Sequence, residues 1–161
     1  MAFVDMTNFF RTSKFNPHEE LYPFLYNVDM AVGPGAPNRY DDVMLVQYFM
    51  NRILPKLPWA GFDNAQLVLD GKFGRQTANW ILSFQQQLRK YYHWVNNVVV
   101  DGRVDKHPPG GRRLYVNYMI RVLNMFYVWL NSDIPFDNIP SYDPGVPPVL
   151  MPIFRMQRTR G

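Results

Sequence analysis

The stretch Leu69–Thr77, LDGKFGRQT, is where the sequence comes nearest to a chemical motif. Two glycines and a lysine ahead of a helical pattern suggest a phosphate cradle, in which backbone N–H groups and an ammonium converge on an anion. The order of residues argues against it, because Lys72 is followed by Phe73 and no Gly-Lys-Ser/Thr occurs anywhere in the chain. A calcium loop fails as well. It needs carboxylates at alternating positions, and the side chains after Asp70 include Lys72, Phe73, Arg75 and Gln76. What remains is a structural device: Asp70-Gly71 makes a tight turn, Gly74 stands at a helix start and Thr77 falls in its first turn.

Other reactive residue types lack the spacing that chemistry needs. His18, His93 and His107 form no His-Glu-x-x-His or comparable pair, so no metal site is expected. A glycoside-cleaving enzyme needs two separated carboxyl groups. The only glutamates, Glu19 and Glu20, are adjacent, and Asp41 and Asp42 read as helix-start residues. There is no Gly-x-Ser-x-Gly elbow and no cysteine, which removes thiol nucleophiles, thiolate metal sites and disulfides. The expectation is a protein that is not an enzyme, with no catalytic residues, no metal and no cofactor. Arg155, Arg158 and Arg160 beside Phe154 carry nonspecific phosphate affinity, but three arginines without a wider basic patch do not make a nucleic-acid binder.

With 161 residues, 47% of them hydrophobic and 16% aromatic, the chain can bury the core of one domain. Charged residues are 19% and the net charge is +4, which excludes disorder of the whole chain. The opening MAFVDMTNFFRTSK has no basic leader, and Asp5, Asn8 and Arg11 interrupt any apolar run, so synthesis in the cytoplasm without a signal peptide is expected. No stretch of about 18 uninterrupted apolar residues suggests a membrane span.

Three helices are predicted to position these residues. The first starts at Asp41 or Asp42, shows apolar Val43, Val46, Phe49, Met50 and Ile53, and ends at Pro55 and Pro58. The second runs from about Arg75 to Tyr91, with Ala78, Ile81, Leu82, Gln85 and Leu88 at spacings of three and four. A short β-branched segment, Trp94 to Asp105, carries a second Asp-Gly turn. The third helix, from about Arg113 to Asn131, is apolar nearly all round except for a stripe of Asn117, Arg121 and Asn124. Such a helix has to be covered on most sides. Residues 1–40, ending in GPGAPN, read as an N-terminal arm. Residues 132–161, with prolines 135, 140, 144, 147, 148 and 152 among many apolar residues, read as an extended C-terminal arm. That arm packs either on its own helices or on a neighbouring subunit, the latter through Phe136, Tyr142, Leu150, Ile153 and Phe154.

The motif order over residues 41–131 resembles the peptidoglycan-binding domain family, a small three-helix fold appended to many cell-wall enzymes. Its Val-x-x-Leu-Gln core is matched by Val43, Val46 and Gln47. Its Asp-Gly-x-Phe-Gly-x-x-Thr turn is matched by Asp70, Gly71, Phe73, Gly74 and Thr77. Its Phe-Gln and its second Asp-Gly-x-Val are matched by Phe84 and Gln85 and by Asp101, Gly102 and Val104. The connections 55–69 and 90–100 are longer than the family's, and the third helix is longer and more apolar. The resemblance implies a mainly α, peptidoglycan-binding-like three-helix domain flanked by extended, Pro-rich arms, with the motif residues chiefly structural.

It also implies saccharide recognition, for which aromatic faces stack on sugar C–H surfaces and cations take peptide carboxylates. Trp59, Tyr91, Tyr92 and Trp94, with Arg75, Arg103 and Lys72, are the candidates; the aromatics read more readily as core or interface residues, and the cations singly as solvated surface charges. Two functions follow. One is a structural component of a larger assembly of protein subunits, a phage particle or contractile injection apparatus, docked through its arms. The other is a free-standing peptidoglycan-binding protein.

Overall fold

A computed structural model describes residues 1–5, 10–11, 21–22, 24–57, 66–93, 95, 97–109 and 118–155. The chain is mainly helical. Its longest elements are α1 (Tyr40–Ile53), α2 (Arg75–Tyr91) and α3 (Met119–Leu130). Four short strands precede them: β1 (Phe3–Asp5), β2 (Phe10–Arg11), β3 (Leu21–Tyr22) and β4 (Leu25–Asn27). β1 pairs antiparallel with β4, in register Phe3 with Asn27 and Asp5 with Leu25, and β2 pairs with β3.

The helix at the centre is α1. Every residue from Asp42 to Met50 is buried, so α1 is covered on all sides, with α3 packed along it. α2 is one-sided, as expected, but its buried face is Thr77, Trp80, Ile81, Phe84, Gln85 and Leu88, while Ala78 and Leu82, expected on that face, are only partly buried. Neither Asp41 nor Asp42 caps α1, whose N-cap position is Arg39 with no side-chain cap. The Asp42 carboxylate turns back instead and accepts the backbone N–H groups of Asp29 (2.8 Å) and Met30 (3.0 Å), while Asp41 accepts that of Ala2 (2.6 Å). Both aspartates tie the N-terminal segment onto the helix. α1 runs directly into a 3-10 turn, Leu54–Lys56, in which Pro55 sits where its missing N–H is not required.

Two expectations about the chain ends are corrected. Residues 132–155 are not an extended arm. They fold into α4 (Ile139–Tyr142), a 3-10 turn at Pro148–Leu150 and α5 (Met151–Arg155). Phe136, Leu150, Ile153 and Phe154, expected to dock on a neighbour, are at most 2% exposed in the chain's own core; of the five, only Tyr142 is exposed. Phe136 and Phe154 close on Tyr26 with ring centroids at 4.9 and 4.7 Å, and burying each such ring contributes about 2 kcal/mol. Asp143 pins the segment: it accepts the Tyr48 hydroxyl (2.5 Å) and the Arg52 Nη2 (2.7 Å). The N-terminal region, where it is described, is likewise part of the core, with Phe24, Leu25, Tyr26 and Val28 buried.

The cover of α3 comes from the same chain. Asn124, in the polar stripe, is fully buried; its Oδ1 accepts the Tyr26 N–H (2.9 Å) and its Nδ2 donates to the Tyr26 carbonyl (2.9 Å). α3 begins at Met119, with Tyr118 in extended conformation at its N-cap, so the helix expected to run on from about Arg113 starts later than predicted; Arg113 and Asn117 themselves lie outside the described residues. The β-branched segment before it forms no strand among the described residues; its only ladder contact is an isolated bridge between Val104 and Val32. No helix among the described residues is long and apolar enough to cross a membrane.

Candidate functional site

The two Asp-Gly turns are built by one device used twice. A tight turn with a residue at positive φ leaves backbone N–H groups that need an acceptor. At the first turn Gly71 has φ +68°, and its N–H donates to Oε1 of Gln47 on α1 (2.9 Å). The Gln47 Nε2 donates to Asp70 Oδ1 (3.0 Å), to the Lys72 carbonyl (3.1 Å) and to Thr77 Oγ1 (3.0 Å). At the second turn Gly102 has φ +73°, and its N–H donates to Oε1 of Gln85 on α2 (2.7 Å). The Gln85 Nε2 donates to Asp101 Oδ1 (3.1 Å) and the Arg103 carbonyl (3.0 Å). Each aspartate closes its own turn by accepting the N–H two residues on, that of Lys72 or of Arg103, both at 2.9 Å. The Lys72 N–H, then Gln47, hold the Asp70 carboxyl below the usual carboxylate range.

The correspondence extends along the chain. Leu67 and Val98, three residues before each aspartate, are buried, and the next residues, Val68 and Val99, are exposed. One turn beyond each glutamine a second side chain grips the apolar run. Asn51 binds both backbone groups of Leu67, with its Oδ1 accepting the N–H at 2.7 Å and its Nδ2 donating to the carbonyl at 2.8 Å. Arg89, in the matching position, donates from Nη2 to the Val98 carbonyl at 2.8 Å. Neither the grip of Asn51 on Leu67 nor that of Arg89 on Val98 follows from helical periodicity. The available signal was the repeat itself, LVLDGK against VVVDGR, each preceded by a helical glutamine.

The remaining motif residues are structural too. Phe84 is fully buried against Phe126, centroids 5.4 Å apart, and Phe73 packs on the edge of the core. Gly74 occupies the N-cap position of α2 in extended conformation, with no side-chain cap. A small cavity of about 80 Å³ lies beside the second turn, lined by Gln85, Asp101, Arg103, Asp105, Tyr118 and Met119, with Val99 at its edge.

Among the described residues the saccharide candidates do not all meet at one place. Trp59 and Trp94 lie outside the described residues. Arg75 and Tyr91 are the two ends of the 17-residue α2, about 24 Å apart along its axis, so one sugar cannot meet both. Arg103 is engaged within the fold, donating to the Pro34 carbonyl (3.2 Å) and to Asp105 (3.3 Å). At the end of α2, Tyr91 is exposed under the Lys90 ammonium, 4.9 Å from its centroid. Tyr92 meets Phe126 and Trp129 edge-on at 5.1 and 6.0 Å, and Trp129 is 47% exposed. Trp129 is therefore an aromatic surface residue on the otherwise largely covered α3.

Among the described residues no three His, Asp or Glu side chains come together as metal ligands. His107 is buried: its Nδ1 lies 2.9 Å from the Pro108 carbonyl, its Nε2 has no partner, and burial lowers its pKa below the ordinary histidine value. The arrangement offers rigid turns, exposed aromatics at one end of α2 and α3, and cations near them. Those features suit recognition by surface contact. Comparison with protein-family models, with curated proteins and with solved structures finds no match.

Proposed function

We propose that the protein is a noncatalytic structural component whose helical domain, of peptidoglycan-binding type, works within a larger assembly such as a phage particle or a contractile injection apparatus. The observation that carries the reading is the pair of glutamine-locked Asp-Gly turns. Seven of the motif residues that carry the resemblance, Gln47, Asp70, Gly71, Thr77, Gln85, Asp101 and Gly102, take part in these two turns, which supports the reading. Docking in such an assembly falls to exposed groups such as Tyr91, Trp129 and Tyr142, because Phe136, Leu150, Ile153 and Phe154 are used inside the chain.

A second reading, a free-standing peptidoglycan binder, is favoured by one specific observation. The C-terminal segment completes the chain's own core and is not held ready for a neighbour. Two measurements separate the readings. Purified full-length protein is sedimented with insoluble peptidoglycan sacculi over a range of salt concentrations, and the source lysate is fractionated by size. Comigration with a particle in the megadalton range is expected. Its absence, with the chain found only free, removes the assembly role. Salt-resistant pelleting with sacculi keeps the wall-recognition role, and folded protein left in the supernatant removes it.

A further inference from the structure

We infer that the end of α2 carries a carboxylate-binding site, formed by the Arg89 guanidinium and the Val98 backbone N–H. The argument is a comparison of the molecule with itself. In the first repeat Asn51 satisfies Leu67 completely, donating to its carbonyl and accepting its N–H. In the second repeat Arg89 reproduces only half of that grip. It donates to the Val98 carbonyl at 2.8 Å, but a guanidinium has no acceptor to offer the N–H beside it. No acceptor for the Val98 N–H is found among the described residues, although Val98 is only 5% exposed. A pocket-lining backbone donor without a protein acceptor is the group an incoming oxygen would meet.

The surroundings select the charge of that oxygen. A pocket of about 240 Å³ lies here, lined by Arg89, His93, Val95, Asn97 and Val98. Arg89 uses one Nη2 hydrogen on Val98, which leaves its other donors for a ligand. The pocket stands at the C-terminal end of α2, where the helix dipole disfavours anions, and the paired cations Arg89 and Lys90 offset that field. His93 and Asn97 at the rim are exposed. A planar carboxylate fits: one oxygen takes the Val98 N–H, as the Asn51 amide oxygen takes that of Leu67, and the other meets the Arg89 fork.

The test follows the Val98 amide in the ¹H–¹⁵N spectrum of the full chain during titration with acetate, and separately with inorganic phosphate, at constant ionic strength. A saturable shift with acetate, weakened on the order of tenfold in Arg89→Asn, is expected; tenfold corresponds to about 1.4 kcal/mol. The Arg89→Asn variant copies the Asn51 solution, so it supplies the acceptor internally, and the rest of its spectrum reports whether it folds. If it does not fold, Arg89→Lys keeps the charge without the fork and is expected to weaken acetate binding several-fold. A non-saturating response, equal affinity in the folded variant, or stronger binding of phosphate than of acetate would overturn the assignment.

Discussion

Gln47 and Gln85 do at the residue scale what a third strand or a bound water does in other turns: each supplies both an acceptor and a donor to a loop that lacks backbone partners. Replacing Gln47 with leucine keeps the volume and removes all of it, leaving the buried Gly71 N–H without an acceptor. The expected cost is about 2–4 kcal/mol, read as a lower urea midpoint with an unchanged slope. Gly71 is constrained a second way, since an added Cβ would run into the Tyr40 ring, and φ is +68°. The aspartate and glycine of each turn were legible in the sequence because their chemistry is local. The glutamines' roles were not, because 23 and 16 residues separate them from their aspartates and nothing local marks a glutamine as an anchor.

At the scale of elements, α2 was read with correct ends because its cues are short-range: a turn glycine before it, one apolar face along it and Arg89 with Lys90 in its last turn. The C-terminal segment defeated the same logic. Its prolines exclude long helices but not short ones: Pro140, Pro148 and Pro152 each stand within the first two residues of a short helical element, where a missing N–H costs nothing. Elements this short have no periodicity to read, and only tertiary burial fixes them. The consequence is testable. Ending the chain at Ser132 removes Phe136, Ile139, Val146, Leu150, Ile153 and Phe154 from the core and strips Tyr48 and Arg52 of Asp143. The truncated chain is expected to lose cooperative thermal unfolding; a sharp transition near that of the full chain would show the segment to be dispensable.

For the whole molecule, stability depends on pH through groups the fold has desolvated. Burial, the largest cause, and the Arg121 charge hold His107 below its ordinary value, against the opposing pull of the Pro108 carbonyl and Asp5. The unfolded chain therefore binds the proton first, near pH 6.5, so stability present above that value is lost as pH falls toward the folded pKa. A urea midpoint lower at pH 5.5 than at pH 7.5 is expected, with the difference reduced in His107→Gln. Asp70, also held below its ordinary value, gives up its contribution only below about pH 4, outside that window. The Asn124 side chain has one more effect on the molecule. Val4 faces Tyr26 across β1 and β4, and the N–H and C=O of Tyr26 point away from β1, where Asn124 takes both. A helix thus supplies what the next strand of a growing sheet would supply. Another chain arriving to extend β4 finds its hydrogen-bonding site at Tyr26 already filled, so a two-stranded sheet can end there without becoming a seed for aggregation.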